Sequence, residues 1–312
     1  MGFSDGKAPK KTVPMLFDRQ RQLLGLLGAL GGRVGDIDFQ KLLFLYCQET
    51  SGPAAYEFVP YKFGAFSFTS HADRRKLIER ELLSDEENHW QLTDEGKRMV
   101  RGARELNIQF AAFVRRHQSL SGESLIAESY RRYPYYATRS EIAERVLQGD
   151  AVALKRIRAA QSVQTGAPLA TIGYEGRTLE SYLNELLMWG CTVLCDVRRN
   201  PVSRKYGFSK SALSNGCVGV GILYVHLPEL GIASEFRQSL DSQEDYDALF
   251  DQYERESLPL QQHTLEAIGD WLRAGERVAL TCYENLPNQC HRHCVAEALE
   301  NGLGKGFAPK HL

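Results

Sequence analysis

Three short stretches concentrate the residue types that do chemistry. They are Gly173-Tyr174-Glu175-Gly176, Asp196-Val197-Arg198-Arg199, and Cys282-Tyr283-Glu284 followed by Cys290-His291-Arg292, and each follows an apolar run. A carboxylate such as Glu284, close in sequence to His291 and Arg292, can take a proton from water or steady a developing oxocarbenium ion. Tyr174, Glu175 and Asp196 are further acid–base candidates. The segment CDVRRNPVSRKYGFSK, Cys195–Lys210, carries five cations and one acid. Arg198, Arg199, Arg204, Lys205 and Lys210, with Ser203, are expected to form a positive rim for phosphate or a nucleic-acid backbone. Asp196 can pair one of these arginines and hold its fork in place. Arg292 at a helix start can add to the grip. These parts suit hydrolysis or transfer at a nucleotide or nucleic-acid sugar. Tyr174, Tyr206, Phe208 and Tyr283 can stack on a base, although core packing is the commoner use of any one ring.

Two other chemistries compete for the same residues. Cys282, Cys290, His291, His293 and Cys294 lie within 13 residues, and zinc takes Cys and His ligands at short spacings. Cys290 and His291 are adjacent, however, and no C-x-x-C pair exists, so no metal is expected. A thiol at a helix N-terminus near His and Arg has a lowered pKa, which makes Cys290 a candidate nucleophile. VLCDVR is superficially similar to rhodanese-like domains, but a Cys followed by an Arg six positions later is absent; from Cys282 the arginine comes ten later. Cys282 reads as a small buried residue at a strand end. Cys47, Cys191, Cys195 and Cys217 read as structural, and His226 has no partner pattern. There is no Walker P-loop, and GYEGRT lacks the G-x-G-x-x-G fingerprint, so no cofactor is expected.

The elements that must position these residues follow from periodicity. From 169 onward, apolar strands (169–176, 191–199, 221–230, 277–284) alternate with helical patterns (179–190, from Ser209, 246–256, 260–275, 290–301). That order predicts an α/β domain with a mostly parallel sheet wrapped by helices, Rossmann-like, over 166–312. Ligands of such sheets sit at the carboxyl ends of strands, which is where the three stretches fall. Residues 13–102 read as helix, helix, aromatic break, helix, then DEENHWQLT and a helix capped by Thr93: a winged helix-turn-helix order. Arg74, Arg75, Lys76 and Arg80 mark its candidate DNA-facing helix. YKFGAFSF resembles a winged-helix group found near toxin–antitoxin and phage-defence genes. Residues 103–165 read as a helical connector, with Thr138 and Glu141 forming a capping box. Residues 1–12 read as a flexible basic tail.

The blocks TIGYEGRTLESYLNELL, VLCDVRRNPVSRKYGFSKSAL, GILYVHLPELG and ALTCYENLPNQCHRHCVAEAL resemble, in order, the signature blocks of domain of unknown function 488. The resemblance covers roughly 168–301 and implies a Rossmann-like α/β fold. Carried over, its pattern falls on Gly173, Tyr174, Asp196, Arg198, Pro201, Ser203, Arg204, Leu230, Gly231, Cys282, Glu284, Cys290, His291 and Arg292. SNGCVGVG (214–221) departs from it, being glycine-rich where a helix would continue.

Net charge is −1, with +2 over residues 1–150 and −3 over the remainder, so any nucleic-acid surface is a local patch. No stretch is apolar enough to span a membrane and none near Met1 reads as a secretory leader; with seven cysteines the chain reads as cytoplasmic with reduced thiols. The expectation is a DNA-directed hydrolase, glycosylase-like, in repair or phage defence. A DNA-binding regulator that senses a nucleotide or phosphorylated ligand is the alternative, and a protein-interaction module a third reading.

Overall fold

The computed structural model describes residues 16–50, 54–101, 104–161, 166–233, 236 and 240–312. The expected tail, 1–12, lies outside them. In chain order come α1 (Asp18–Ala29), β1 (Arg33–Gly35), α2 (Asp36–Glu49), β2 (Val59–Tyr61), β3 (Gly64–Phe66) and α3 (Phe68–Glu79). Next are β4 (His89–Gln91), α4 (Asp94–Arg101), α5 (Arg104–His117), α6 (Gly122–Arg132), α7 (Ala143–Val146) and α8 (Ala151–Ala159). The rest is β5 (Leu169–Gly173), α9 (Leu179–Trp189), β6 (Val193–Asp196), α10 (Lys210–Gly219), β7 (Leu223–His226), α11 (Gln243–Gln252), α12 (Gln262–Arg273), β8 (Val278–Cys282), α13 (Arg292–Leu303) and β9 (Lys310–His311). The chain divides into two compact units, Met1–Phe39 with Asp73–Gln118, and Gln40–Ala72 with Ser119–Leu312. This division cuts across the sequence boundaries near 102 and 165.

In the first unit β1 and β4 pair antiparallel, with Val34 opposite Trp90. Trp90 is fully buried, its Nε1 donates to Asp36 Oδ1 at 2.5 Å, and its ring lies 4.6 Å from Phe39. Thr93 caps α4 as expected, accepting from Gly96 N at 3.1 Å. Arg74 has a task inside this unit. Its Nη2 donates to the carbonyls of Glu86 (2.7 Å) and His89 (2.8 Å), and its guanidinium lies over Trp90. Of the expected cations on α3, Arg75 and Lys76 are the exposed ones.

The second unit is built on a parallel five-stranded sheet in the order β7-β6-β8-β5-β9. Side chains alternate across it as the period of two requires. Leu169, Val193, Cys195, Val278, Leu280 and Cys282 pack with Ile268, Leu272 and Val295 of α12 and α13. Ala170, Ile172, Leu194 and Ala279 pack with Leu183, Leu186 and Leu213 of α9 and α10. Thr178 caps α9, and Gly190 (φ +83°) ends it in the left-handed conformation. Helix α10 runs through the glycine-rich SNGC segment to Gly219, because Gly216 packs on Leu179 and Leu183. The helix expected after Thr138 begins instead at Ala143. Ser140 Oγ bonds Tyr130 Oη at 2.7 Å and Glu141 N donates to the Lys62 carbonyl at 2.8 Å, which holds the intervening chain out of helix. Among the described residues no helix is long and apolar enough to cross a membrane.

Glu180, 1% exposed, is a buried carboxylate in the first turn of α9 that faces the start of α3. It accepts from Thr69 N (2.7 Å), Ser67 Oγ (3.1 Å) and Thr69 Oγ1 (2.9 Å). Burial raises its pKa above the ordinary 4.5, against the pull of these donors. A raised carboxyl favours the protonated folded state, so this stability is fully present below the ordinary value and lost as pH rises through the folded one. Lowering the pH through the interval between the raised folded value and the ordinary 4.5 is therefore expected to offset part of any acid destabilisation in the wild type. In Glu180→Gln that compensating part should be missing. The check is the urea midpoint of both proteins across that range; parallel profiles would contradict the expectation.

Candidate functional site

Parallel register puts the ends of three adjacent strands side by side: Gly173 pairs with Cys282, and Asp196 with Thr281. The three stretches singled out in the sequence meet there. An open pocket of about 350 Å³ is lined by Tyr174, Arg198, Arg199, Asn200, Ser203, Arg204, Cys282, Tyr283 and Glu284, together with Val202 and Ile232. The loop that follows β8 must turn tightly against the end of β5. A Cβ on Gly173 would stand 1.9 Å from the Glu284 carbonyl oxygen, so only glycine fits. Gly231 serves the same purpose on the other side, where a Cβ would lie 2.1 Å from Arg199 N.

Beneath the pocket lies a buried polar cluster. Asp196 Oδ1 accepts from Arg198 Nε at 2.7 Å, and Oδ2 accepts from Arg198 Nη2 at 2.5 Å and from Tyr224 Oη at 2.6 Å. Arg198 Nη1 donates to Tyr174 Oη (2.9 Å) and to the Phe208 carbonyl (2.8 Å). Burial works against the Arg198 charge, but the Asp196 carboxylate and Tyr174 outweigh it and its pKa is raised. Tyr174 stacks on Phe208 at 4.4 Å. His226 Nε2 donates to the Arg198 carbonyl at 2.9 Å, and its Nδ1 accepts from Lys210 Nζ at 3.1 Å. Burial raises the Tyr224 pKa, and its contact with Asp196 raises it further.

This geometry sorts the expected residues. Asp196 is fully buried with both oxygens engaged, and Arg198 is only 5% exposed, so the pair positions the strand ends rather than presenting free groups. Arg292 is buried beside the loop after β8. Its Nη1 donates to the Glu284 carbonyl and its Nη2 to the Asn285 carbonyl at 2.9 Å, while Nε has no hydrogen-bond partner. Lys205 Nζ donates to the Tyr174 carbonyl at 2.9 Å. Lys210 lies against His226, outside the pocket lining. Glu175 is exposed and accepts from Asn285 N at 3.0 Å. The pocket-lining cations that remain exposed are Arg199 and Arg204, near Ser203. Of the expected stacking rings, Phe208 is in the core, Tyr206 Oη donates to the Phe68 carbonyl, and Tyr283 is 45% exposed in the pocket wall.

The cysteine–histidine group is closer together than its spacing suggests. Cys290 is extended (φ −145°, ψ 126°) and His291 helical (φ −55°, ψ −12°), so two adjacent residues reach one centre. Cys282 Sγ lies 3.8 Å from His291 Nδ1 and 3.5 Å from Glu284 Oε2. Burial, followed by its contact with Cys282, raises the Cys290 thiol well above the ordinary value, the reverse of the lowered pKa a nucleophile needs. Tyr224 escaped sequence reading, and His226, read there as having no partner pattern, bonds the Arg198 carbonyl and Lys210; their alternation, i and i+2 on one strand beside β6, was the available signal.

No curated protein and no solved structure matches the chain. Residues 178–299, in the C-terminal part of the chain, match the family model described as Domain of unknown function DUF488.

Proposed function

We propose that this chain is a nucleic-acid-directed hydrolase that cleaves a nucleotide or base linkage, glycosylase-like, in repair or phage defence. The reading is carried by one observation: Glu284 shares a strand-end pocket with the exposed Arg199 and Arg204. Glu284 is the acid–base group, and Arg199 and Arg204, with Ser203, hold phosphate. Tyr283 stacks on a base brought into the pocket, which in duplex DNA must be flipped out. Asp196 and Arg198 keep Tyr174 and the strand ends in place. The N-terminal helices act as a winged helix that retains DNA, with Arg75 and Lys76 on its outer face. The seven cysteines, none of them in a disulfide, suit a reducing cytoplasm.

The test is a gel-shift with duplex and single-stranded DNA, then alkali and denaturing gels on the same samples. Binding with alkali-labile breaks is expected, falling about 10²- to 10⁴-fold in Glu284→Gln with retention unchanged. A second reading is favoured by the fact that, among the described residues, Glu284 is the one carboxylate in the pocket lining. A regulator sensing a phosphorylated ligand needs the arginines and no acid at all. Binding to one defined operator, altered by a small phosphorylated ligand and with strands intact, would select it.

A further inference from the structure

The hydrolase reading leaves two thiols and an imidazole at the base of the pocket unused. Cys282 Sγ, Cys290 Sγ and His291 Nδ1 all lie within 4.8 Å of one another. The three residues are essentially fully buried. His291 Nε2 donates to the Val197 carbonyl at 3.0 Å, which puts the ring proton on Nε2 and leaves the Nδ1 lone pair facing the sulfurs. A backbone carbonyl holding the far ring nitrogen is the support that a metal-bound imidazole needs. Tetrahedral zinc, with bonds of about 2.3 Å to sulfur and about 2.0–2.2 Å to nitrogen or oxygen, sets neighbouring donors roughly 3.5–3.8 Å apart. The Cys282 sulfur stands at 3.8 Å from His291 Nδ1 and 3.5 Å from Glu284 Oε2.

We propose that Cys282, Cys290 and His291 bind one zinc ion, with Glu284 as the fourth donor until a ligand in the pocket takes its place. Binding exchanges the two thiol protons, released to solvent, for the cation. Two thiolates, a neutral imidazole and a carboxylate form a soft, mostly buried donor set, which selects zinc over magnesium or calcium. The spacing argument against a metal fails because Cys290 and His291 take different backbone conformations and so converge. This assignment does not rest on the hydrolase reading.

The test uses the full chain without a chelating tag, reduced, loaded with zinc and desalted, with metal measured by mass spectrometry. One zinc per chain is expected, and cobalt in its place should give a thiolate charge-transfer band with four-coordinate visible bands. Cys290→Ser and His291→Ala should retain less than about a tenth of the metal. Cys294→Ser should keep it, since that buried sulfur lies beside His293 instead. A reduced wild-type chain that retains neither zinc nor cobalt overturns the proposal, as does a Cys282–Cys290 disulfide in place of metal, or equal loss in Cys294→Ser. The cobalt spectrum of the wild type decides even if the variants fail to fold. Metal content is read without DNA, so a zinc-loaded but inactive chain would count only against the hydrolase reading.

Discussion

Asp196→Ala is expected to lower the stability of the chain by about 3–5 kcal/mol. The substitution strands a guanidinium that is 6% exposed, with a phenol and one carbonyl as its remaining acceptors. A buried charge cannot recover its hydration, and the loss of one partner costs far more than the pair contributes. Tyr224 Oη loses its acceptor at the same time. Adding Arg198→Met to Asp196→Ala should restore much of the loss, because no uncompensated charge is left and most of the volume is kept. Urea unfolding of the three proteins, followed by far-ultraviolet circular dichroism, measures both steps. A cost below about 1 kcal/mol for Asp196→Ala, in the range of an exposed pair, would show that this ion pair is solvated.

Gly173→Ala should damage the site more than its one added methyl suggests. The new Cβ meets backbone, the Glu284 carbonyl oxygen at 1.9 Å and carbon at 2.7 Å, and backbone cannot rotate away. The loop is also tied. Tyr174 N and Glu175 N donate to the Tyr283 carbonyl at 3.1 and 2.9 Å, and Arg292 holds Glu284 and Asn285. Separating β5 from this loop should cost about 1–3 kcal/mol or more and displace Glu284. Gly302→Ala, in α13 with nothing within 4 Å of the new methyl, is the control. It should gain about 0.5–1 kcal/mol as a glycine removed from a helix. Equal effects of the two substitutions on the unfolding midpoint would remove the steric argument.

Much of the second unit was legible because its signals are local. Short β-branched and apolar runs such as Val193–Cys195 and Val278–Cys282, set between helical patterns, read as buried strands, Gly190 stops α9, and Ser209 starts α10. Strand ends then located the candidate pocket, where the three stretches meet, without knowledge of the sheet order. Which cation does what was not legible. Arg198 and Arg199 are neighbours, yet one is buried on Asp196 and the other exposed in the pocket, a difference made by the hydrogen bonds that hold Arg198 beneath it. Arg74 and Arg292 likewise look like surface cations until the carbonyls they hold are seen. β9 was missed because Lys310-His311 has no apolar alternation; it joins the sheet through backbone bonds and the His311–Thr171 contact at 2.8 Å. The Thr138 capping box failed because Ser140 and Glu141 have partners distant in sequence.

The position of β8 between β5 and β6 carries a consequence for how the molecule is made. Synthesis delivers β5, β6 and β7 first, and until residue 278 emerges β5 and β6 have no strand between them. Each waits with an unsatisfied edge, the condition that invites pairing with another nascent chain. The strand that ends this exposure is the one that carries Cys282 and leads into Glu284. Closure of the sheet and completion of the pocket are thus one event, so a stalled or truncated intermediate holds the arginines of the site without its carboxylate.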